Sequence, residues 1–160
     1  MTRAAVIVDT NVVVAGLLTA HEASRAVPNS ARILDGMLAA AFPFVVSEAL
    51  LAEYRTVLLR PTLRKLHGLT VAEVEAILTD LAQHAIVLAP VPIPAAPPAP
   101  DPGDQLLWGL LAARADLLLV TGDKLLLRDA GTQGRVMSPQ AFVARAQPGR
   151  TMKIQGEPSA

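Results

Sequence analysis

Four carboxylates stand where a folded sheet could deliver them to one ligand. Asp9 directly follows the apolar run Ala4-Ala5-Val6-Ile7-Val8, and Asp123 comes two residues after Thr121, which ends a second run begun at Leu117. Asp104 falls in the first turn of a helix that feeds this second run. Glu53 lies six residues after Ser47, near the second turn of a helix leaving a third run, Phe44-Val45-Val46. In an open parallel sheet, ligands bind beyond the carboxyl ends of the strands, where loops and helix N-termini converge. The spacing therefore predicts that the four acids share one rim. Anions so placed repel and raise one another's pKa values unless a cation neutralises them. With oxygen donors only, no cysteine in the chain and no histidine near the four positions, the expected ion is Mg2+ or Mn2+ rather than zinc. One or two such ions can lower the pKa of a bound water, orient it in line with a phosphodiester and stabilise the departing oxygen.

Each acid also has a purely structural explanation. Asp101 and Asp104 form a helix-capping pair, and Asp101 reads first as a cap for an orphan N–H group. Asp123 could cap the turn that follows it, and Glu53 taken alone would be a solvent-facing helix residue. Asp9 is the strongest of the four, because an acid directly after a fully buried strand, followed by Thr10 and Asn11, sits where a sheet presents side chains to ligands. His21, His67 and His84 are scattered over loop and helix and read as structural or exposed.

The elements that must position these residues follow from periodicity and punctuation. Residues 4–8 are continuously apolar and rich in β-branched side chains, which predicts a strand buried on both faces. The strand stops at Asp9-Thr10-Asn11, and a polar stretch holding His21, Pro28, Asn29 and Ser30 precedes a helix over residues 31–41. A second strand covers residues 44–46. Ser47 caps the next helix, which carries Leu50, Leu51, Tyr54, Val57 and Leu58 at apolar spacing and is stopped by Pro61. Thr70 with Glu73 makes a capping box, predicting a helix over residues 71–84 and a strand at residues 85–88. The proline- and alanine-rich tract of residues 90–100 reads as a stiff polyproline-like connector inside the domain. A helix from Asp101-Pro102-Gly103-Asp104 to about residue 114, a strand at 117–121, a helical turn at 124–127, an edge strand at 135–137 and a helix capped by Ser138-Pro139 complete the order. The helix from Gln105 is apolar nearly all round, so Trp108 belongs either to the core or to a dimer interface. Alternating helices and short buried strands predict an α/β domain of three layers with a parallel sheet covered on both faces. Residues 1–146 form that domain, and residues 147–160 read as a frayed tail.

Composition narrows the setting. A chain of 160 residues, 52% apolar, fits one domain. Its apolar runs fall well short of the roughly 20 residues that span a bilayer, so no membrane anchor is expected. The single Arg3 before a short apolar run does not make a signal peptide. The absence of cysteine excludes a disulfide framework, a thiolate zinc site and a cysteine nucleophile, and makes a reducing cytoplasm the simplest setting. A formal net charge of zero gives no long-range pull on nucleic acid, so any such contact must be local. The nearest approach to a basic cluster is Arg55, Arg60, Arg64 and Lys65, for which placement against a helix C-terminus is favoured over phosphate binding.

Taken in order, Val8-Asp9-Thr10-Asn11, Ser47 to Glu53 with Arg60-Pro61, Asp101-Pro102-Gly103-Asp104 and Val120-Thr121-Gly122-Asp123 form a pattern that resembles the PIN domain family. Among its branches the pattern is most similar to the toxin components of bacterial toxin-antitoxin systems, the VapC-like ribonucleases, from about residue 5 to 145. Order, strand context and spacing together are far more specific than any one motif. The resemblance implies an α/β/α domain with a mainly parallel sheet and a divalent-metal endoribonuclease in which Asp9, Glu53, Asp104 and Asp123 match the four acidic positions. Thr10, Asn11, Ser47 and Thr121 match its supporting polar positions, with Asp101 a supporting candidate beside Asp104. It further implies Mg2+ or Mn2+, hydrolysis by a metal-activated water leaving 5′-phosphate and 3′-hydroxyl ends, and single-stranded or looped RNA as substrate. A small antitoxin partner and a homodimer are implied as well. The tract at 90–100 is richer in proline than the family pattern.

Rival readings fit less well. A haloacid dehalogenase-like phosphatase also places an aspartate after its first strand, but here Asn11 stands where that family has a second aspartate, and no acid follows three to five residues beyond Asp123. No Gly-x-Gly-x-x-Gly or Walker-type loop follows any strand. The rival from another class is a catalytically silent PIN scaffold that binds RNA or a protein partner. The presence of all four acids weighs against it, because a silent scaffold has no electrostatic use for a self-repelling cluster.

Overall fold

Three consecutive β-branched residues form β1 (Val6–Val8), every one of them buried. The computed structural model describes residues 4–19, 28–92, 96, 98–129 and 134–146; His21 and the tail at 147–160 lie outside them. Along the chain come α1 (Thr10–Thr19), α2 (Asn29–Leu38), β2 (Phe44–Val46), α3 (Glu48–Leu58), α4 (Pro61–His67), α5 (Val71–His84) and β3 (Ile86–Val87). A 3-10 turn at Pro102–Asp104 then leads into α6 (Gln105–Ala112), β4 (Leu118–Val120), α7 (Lys124–Leu127), β5 (Val136–Met137) and α8 (Pro139–Ala146).

The strands join in the order β3-β2-β1-β4-β5, and every pairing is parallel. Helices flank this sheet, giving the three-layer α/β/α architecture. The chain lays strands outward from β1 in one direction, then crosses back to β4 on the other side of β1. Right-handed crossovers accordingly put the helices of the first half on one face and α6 and α7 on the other. The order reverses between β1 and β4, and the carboxyl ends of these two neighbours make the crevice that an open α/β sheet offers a ligand. The core runs along β1, β2 and β4, whose residues are all buried, and closes on Leu50, Tyr54, Leu81, Leu107 and Leu110. No helix among the described residues is long and apolar enough to cross a membrane.

Several elements differ from the sequence expectation. The strand does not give way to a polar stretch after Asp9, because α1 begins at Thr10 and continues through Val12, Val13 and Val14. β-branched residues are poor helix formers by propensity, but here Val12 and Val13 are buried in the core and tertiary packing decides. Gly16 makes the close approach of α1 to α2 possible: a Cβ there would lie 2.6 Å from the Ser30 carbonyl oxygen. Pro61 ends α3 only by starting α4, at the position where its missing N–H costs nothing. Arg64 and Lys65 sit in the last turn of α4 rather than at the end of α3.

Trp108 is 3% exposed and belongs to the core, so its interface alternative is set aside. The tract after β3 is not a free spacer: Val91 N–H donates to the Gly109 carbonyl at 2.8 Å, Ala96 is buried, and Ala99 N–H donates to Gln105 Oε1 at 2.8 Å. Its described residues form a strap fastened to α6 at Gly109 and Gln105. The capping predictions at Thr70 and Ser138 hold. Thr70 and Glu73 bond reciprocally, and Ser138 Oγ accepts from Ala141 N–H at 3.1 Å.

Candidate active site

The buried end of β1 hands the chain to Asp9, whose N–H donates to the Val120 carbonyl at 2.9 Å and so extends the β1–β4 ladder by one step. Asp9 is 6% exposed. Its Oδ2 accepts from the Thr121 hydroxyl at 2.7 Å and from Asn11 Nδ2 at 3.2 Å. Burial pushes its carboxyl pKa up; hydrogen bonds from Thr121 and from the Thr10 backbone pull it back, and the charges of Glu53 and Asp123 raise it again.

Around Asp9 the neighbouring elements bring the other acids. Ser47, fully buried, caps α3 by accepting from Leu50 N–H at 3.0 Å, and the helix thus fixed carries Glu53 to within a hydrogen bond of the Thr10 hydroxyl. Thr121 directly follows β4; besides bonding Asp9 it accepts the Asp123 N–H at 3.0 Å. Asp123 in turn caps α7 through Leu125 N–H at 2.9 Å. Asp101 caps the 3-10 turn, accepting from Gly103 N–H at 3.0 Å, and the turn presents Asp104. The Asp104 carboxyl is pushed up to about 6, first by desolvation and then by the charges of Asp9, Asp101, Asp123 and Glu53. Its neighbours in the raised state are the acids singled out in the sequence.

A cavity of about 420 Å³ opens between them, lined by Asp9, Glu53, Asp104 and Asp123 together with Thr10 and Asn11, and on its other side by Val14, Ala15, Leu18 and Val57. The structure thus brings the four acids to one opening. Ser47, Asp101 and Thr121 do not line it: Ser47 and Thr121 are buried as a cap and a hydroxyl, and Asp101, exposed, caps the turn and adds its charge beside Asp104. Asn11 links the two strand ends, donating to Asp9 and accepting from Gly122 N–H at 3.3 Å.

Among the described residues no three acidic, histidine or cysteine side chains form a group ready to hold a metal ion. The carboxylates share the cavity without closing on one point. Their chemistry nonetheless fits a hard cation: all donors are oxygens, and the carboxyls of Asp9 and Asp104 are raised first by burial and then by the charges of the neighbouring acids, both of which a divalent ion would offset. His67 and His84 take no part. His67 is buried, with Nδ1 accepting from Leu69 N–H at 3.0 Å and Nε2 2.9 Å from the Leu58 carbonyl oxygen, and His84 is exposed at the end of α5. Arg55 pairs with Glu75 on the surface at 2.7 Å.

One supporting residue escaped the sequence reading. Tyr54 counted there only as an apolar position of α3, yet its buried hydroxyl donates to the carbonyl of Val8, the residue before Asp9. That bond ties the helix carrying Glu53 to the strand carrying Asp9. The only signal was a lone tyrosine next to a candidate acid; its partner lies too far along the chain to be read from spacing.

A family model described as PIN domain matches residues 5–125. That span includes all four acids. No curated protein matches the chain closely enough to be named as a relative.

Proposed function

The chain belongs to the PIN domain family, and from that premise we propose that it is a divalent-metal-dependent endoribonuclease, the toxin of a toxin-antitoxin pair, with Asp9, Glu53, Asp104 and Asp123 as its metal-holding catalytic residues. The observation that carries this reading is the shared cavity: four carboxylates from four separate segments line it, and the Asp104 carboxyl is raised to about 6 within it. A cluster of like charges is costly unless its occupant is a cation. When bound, Mg2+ or Mn2+ would neutralise the acids, lower the pKa of a water and stabilise charge on a departing phosphate oxygen.

The residues around the acids set how they are held. Thr121 and Asn11 both bond Oδ2 of Asp9, which fixes the orientation of its carboxylate at the cavity. The Thr10 hydroxyl restrains Glu53 from the N-terminus of α1. Asp104 and Asp123 sit on short turns, each anchored by a cap, so that they can close on an ion with small local movements. Substrate is proposed to be single-stranded or looped RNA, cut to 5′-phosphate and 3′-hydroxyl ends, with a small antitoxin as neutralising partner, a homodimer as the assembly and the cytoplasm as the compartment. Residues 1–146 are proposed as the nuclease domain and 147–160 as its tail.

Cleavage of a mixed panel of single-stranded RNAs by wild type and Asp104→Asn, each with Mn2+ and with EDTA, tests this. Cutting that needs the metal and is lost in the variant is expected. RNA binding without cutting under Mn2+ would replace the enzyme with the silent scaffold.

A further inference from the structure

The cavity has two chemically different ends, and both helices that wall it change character in the same sense. On α1, Asn11, Val14, Ala15 and Leu18 recur at steps of three and four and share one face. On α3, Glu53 and Val57 do the same. Each helix is polar beside the acids and apolar beyond them. At a rise of 1.5 Å per residue the face from Asn11 to Leu18 runs roughly 10 Å. Val14, Ala15, Leu18 and Val57 are half-buried rather than enclosed in the core, so this apolar wall meets the same opening as the carboxylates.

Charge explains why the wall matters to a substrate. Among the described residues that line the cavity none is cationic, and the chain as a whole is neutral. Among the described lining residues nothing attracts a phosphodiester except an ion held by the acids, so these residues offer a substrate its second hold by apolar contact rather than by charge. The heterocycle of a nucleotide supplies one. Its faces are apolar, and it lies within reach of a wall that begins about two helical turns or less from the acids.

Resting on the nuclease reading above, we propose that Val14, Ala15, Leu18 and Val57 seat the nucleobase of a nucleotide whose phosphate lies at the acids. The seat offers no side-chain hydrogen-bonding group, so it holds a base by its face and does not read which base it is. It also demands that the base leave its stack, which a single strand permits at little cost and a duplex resists. The wall therefore acts as a selector for unpaired RNA.

Calorimetric titration of the Mn2+-loaded protein with AMP, UMP and ribose 5-phosphate tests the seat separately from the chemistry. Both nucleotides are expected to bind about tenfold more tightly than the base-free sugar phosphate, the gain from covering one side of a base with apolar surface, and nearly as tightly as each other. Val14→Thr with Leu18→Gln should bring both nucleotides down toward ribose 5-phosphate while leaving the affinities for Mn2+ and for ribose 5-phosphate unchanged. Val14→Thr alone, which keeps the shape of the side chain, serves if the double variant fails to fold by circular dichroism. Equal binding of all three compounds by wild type would overturn the base seat and leave the metal and phosphate reading standing, the wall then being free for an apolar side chain of a protein partner. No binding of any of them, together with no cutting of RNA under Mn2+, would overturn the nuclease reading and the seat with it.

Discussion

The hydroxyl of Thr121 stands 2.7 Å from Oδ2 of Asp9, across the junction of two parallel strands whose carboxyl ends open the cavity. The Thr121 hydroxyl oxygen also accepts the Asp123 N–H at 3.0 Å. A single buried side chain therefore sets the distance between two of the four acids. It also supplies the bond that offsets part of the cost of burying Asp9.

Thr121→Val keeps the shape of this side chain and removes only the hydroxyl. The Asp9 carboxylate and the Asp123 N–H each lose a partner, and an unsatisfied buried group costs about 1–3 kcal/mol. The variant is expected to unfold at correspondingly lower urea and to bind Mn2+ several-fold more weakly, since Asp9 becomes harder to ionise. Unchanged values for both would mean that the strand ends are held by the sheet alone.

The pH dependence of stability has a sign opposite to that of an ordinary acid-rich surface. Asp104 has its carboxyl raised from 3.8 to about 6, so the folded protein keeps a proton that the unfolded chain releases. The associated stability is fully present below the unfolded value and is lost as pH rises through about 6; the raised Asp9 works in the same direction. Asp104→Asn should therefore make the metal-free protein more stable at pH 8 by about 1 kcal/mol, discounted from the full shift because solvent screens a partly exposed carboxyl. Near pH 4 that advantage should vanish. Urea unfolding in EDTA at the two pH values checks it, and an equal advantage at both would remove charge repulsion as the cause.

Much of this site was legible in the chain because its parts are local. Asp9, Thr121 and Asp123 lie at the ends of short apolar runs, and the capping residues Ser47, Asp101 and Thr70 announce their helices within three residues. What was not legible depends on distant partners. The triplet Val12-Val13-Val14 argues against a helix until the tertiary fold buries Val12 and Val13. The Tyr54 hydroxyl finds the Val8 carbonyl 46 residues away. The proline tract looked like a spacer because its anchor, Gly109, lies on a helix that the sequence places after it. The apolar wall of the cavity was hidden with α1, since no face can be drawn for an element that is not recognised.

Gly109 is the point at which that strap can be tested. A Cβ there would lie 2.8 Å from the Val91 carbonyl oxygen and 3.2 Å from Pro90 Cβ, and a backbone atom cannot step aside as a flexible side chain would. Gly109→Ala is expected to destabilise the protein by about 2 kcal/mol, as overpacking at a rigid contact does. Because α6 follows directly on the turn that carries Asp101 and Asp104, Mn2+ affinity should fall as well. A variant with wild-type stability and metal binding would show that the strap does not hold the turn in place.

The demand for a cation can be measured without any substrate. An ion that binds the folded chain and not the unfolded one stabilises it by about 2.7 kcal/mol at roughly a hundredfold excess over its Kd, a rise in Tm of several degrees for a chain of this size. Wild type is expected to show that rise with Mn2+ and to lose it with EDTA. Asp9→Asn and Asp123→Asn should lose most of it, because each removes a charged donor from the cavity. Glu75→Gln breaks the surface pair with Arg55 and should keep the rise in full, which separates a specific site from the general attraction of acids for divalent ions. A wild-type Tm indifferent to both Mn2+ and Mg2+ would leave four repelling carboxylates with no occupant to reconcile them, and the metal would then have to be dropped from the proposed mechanism.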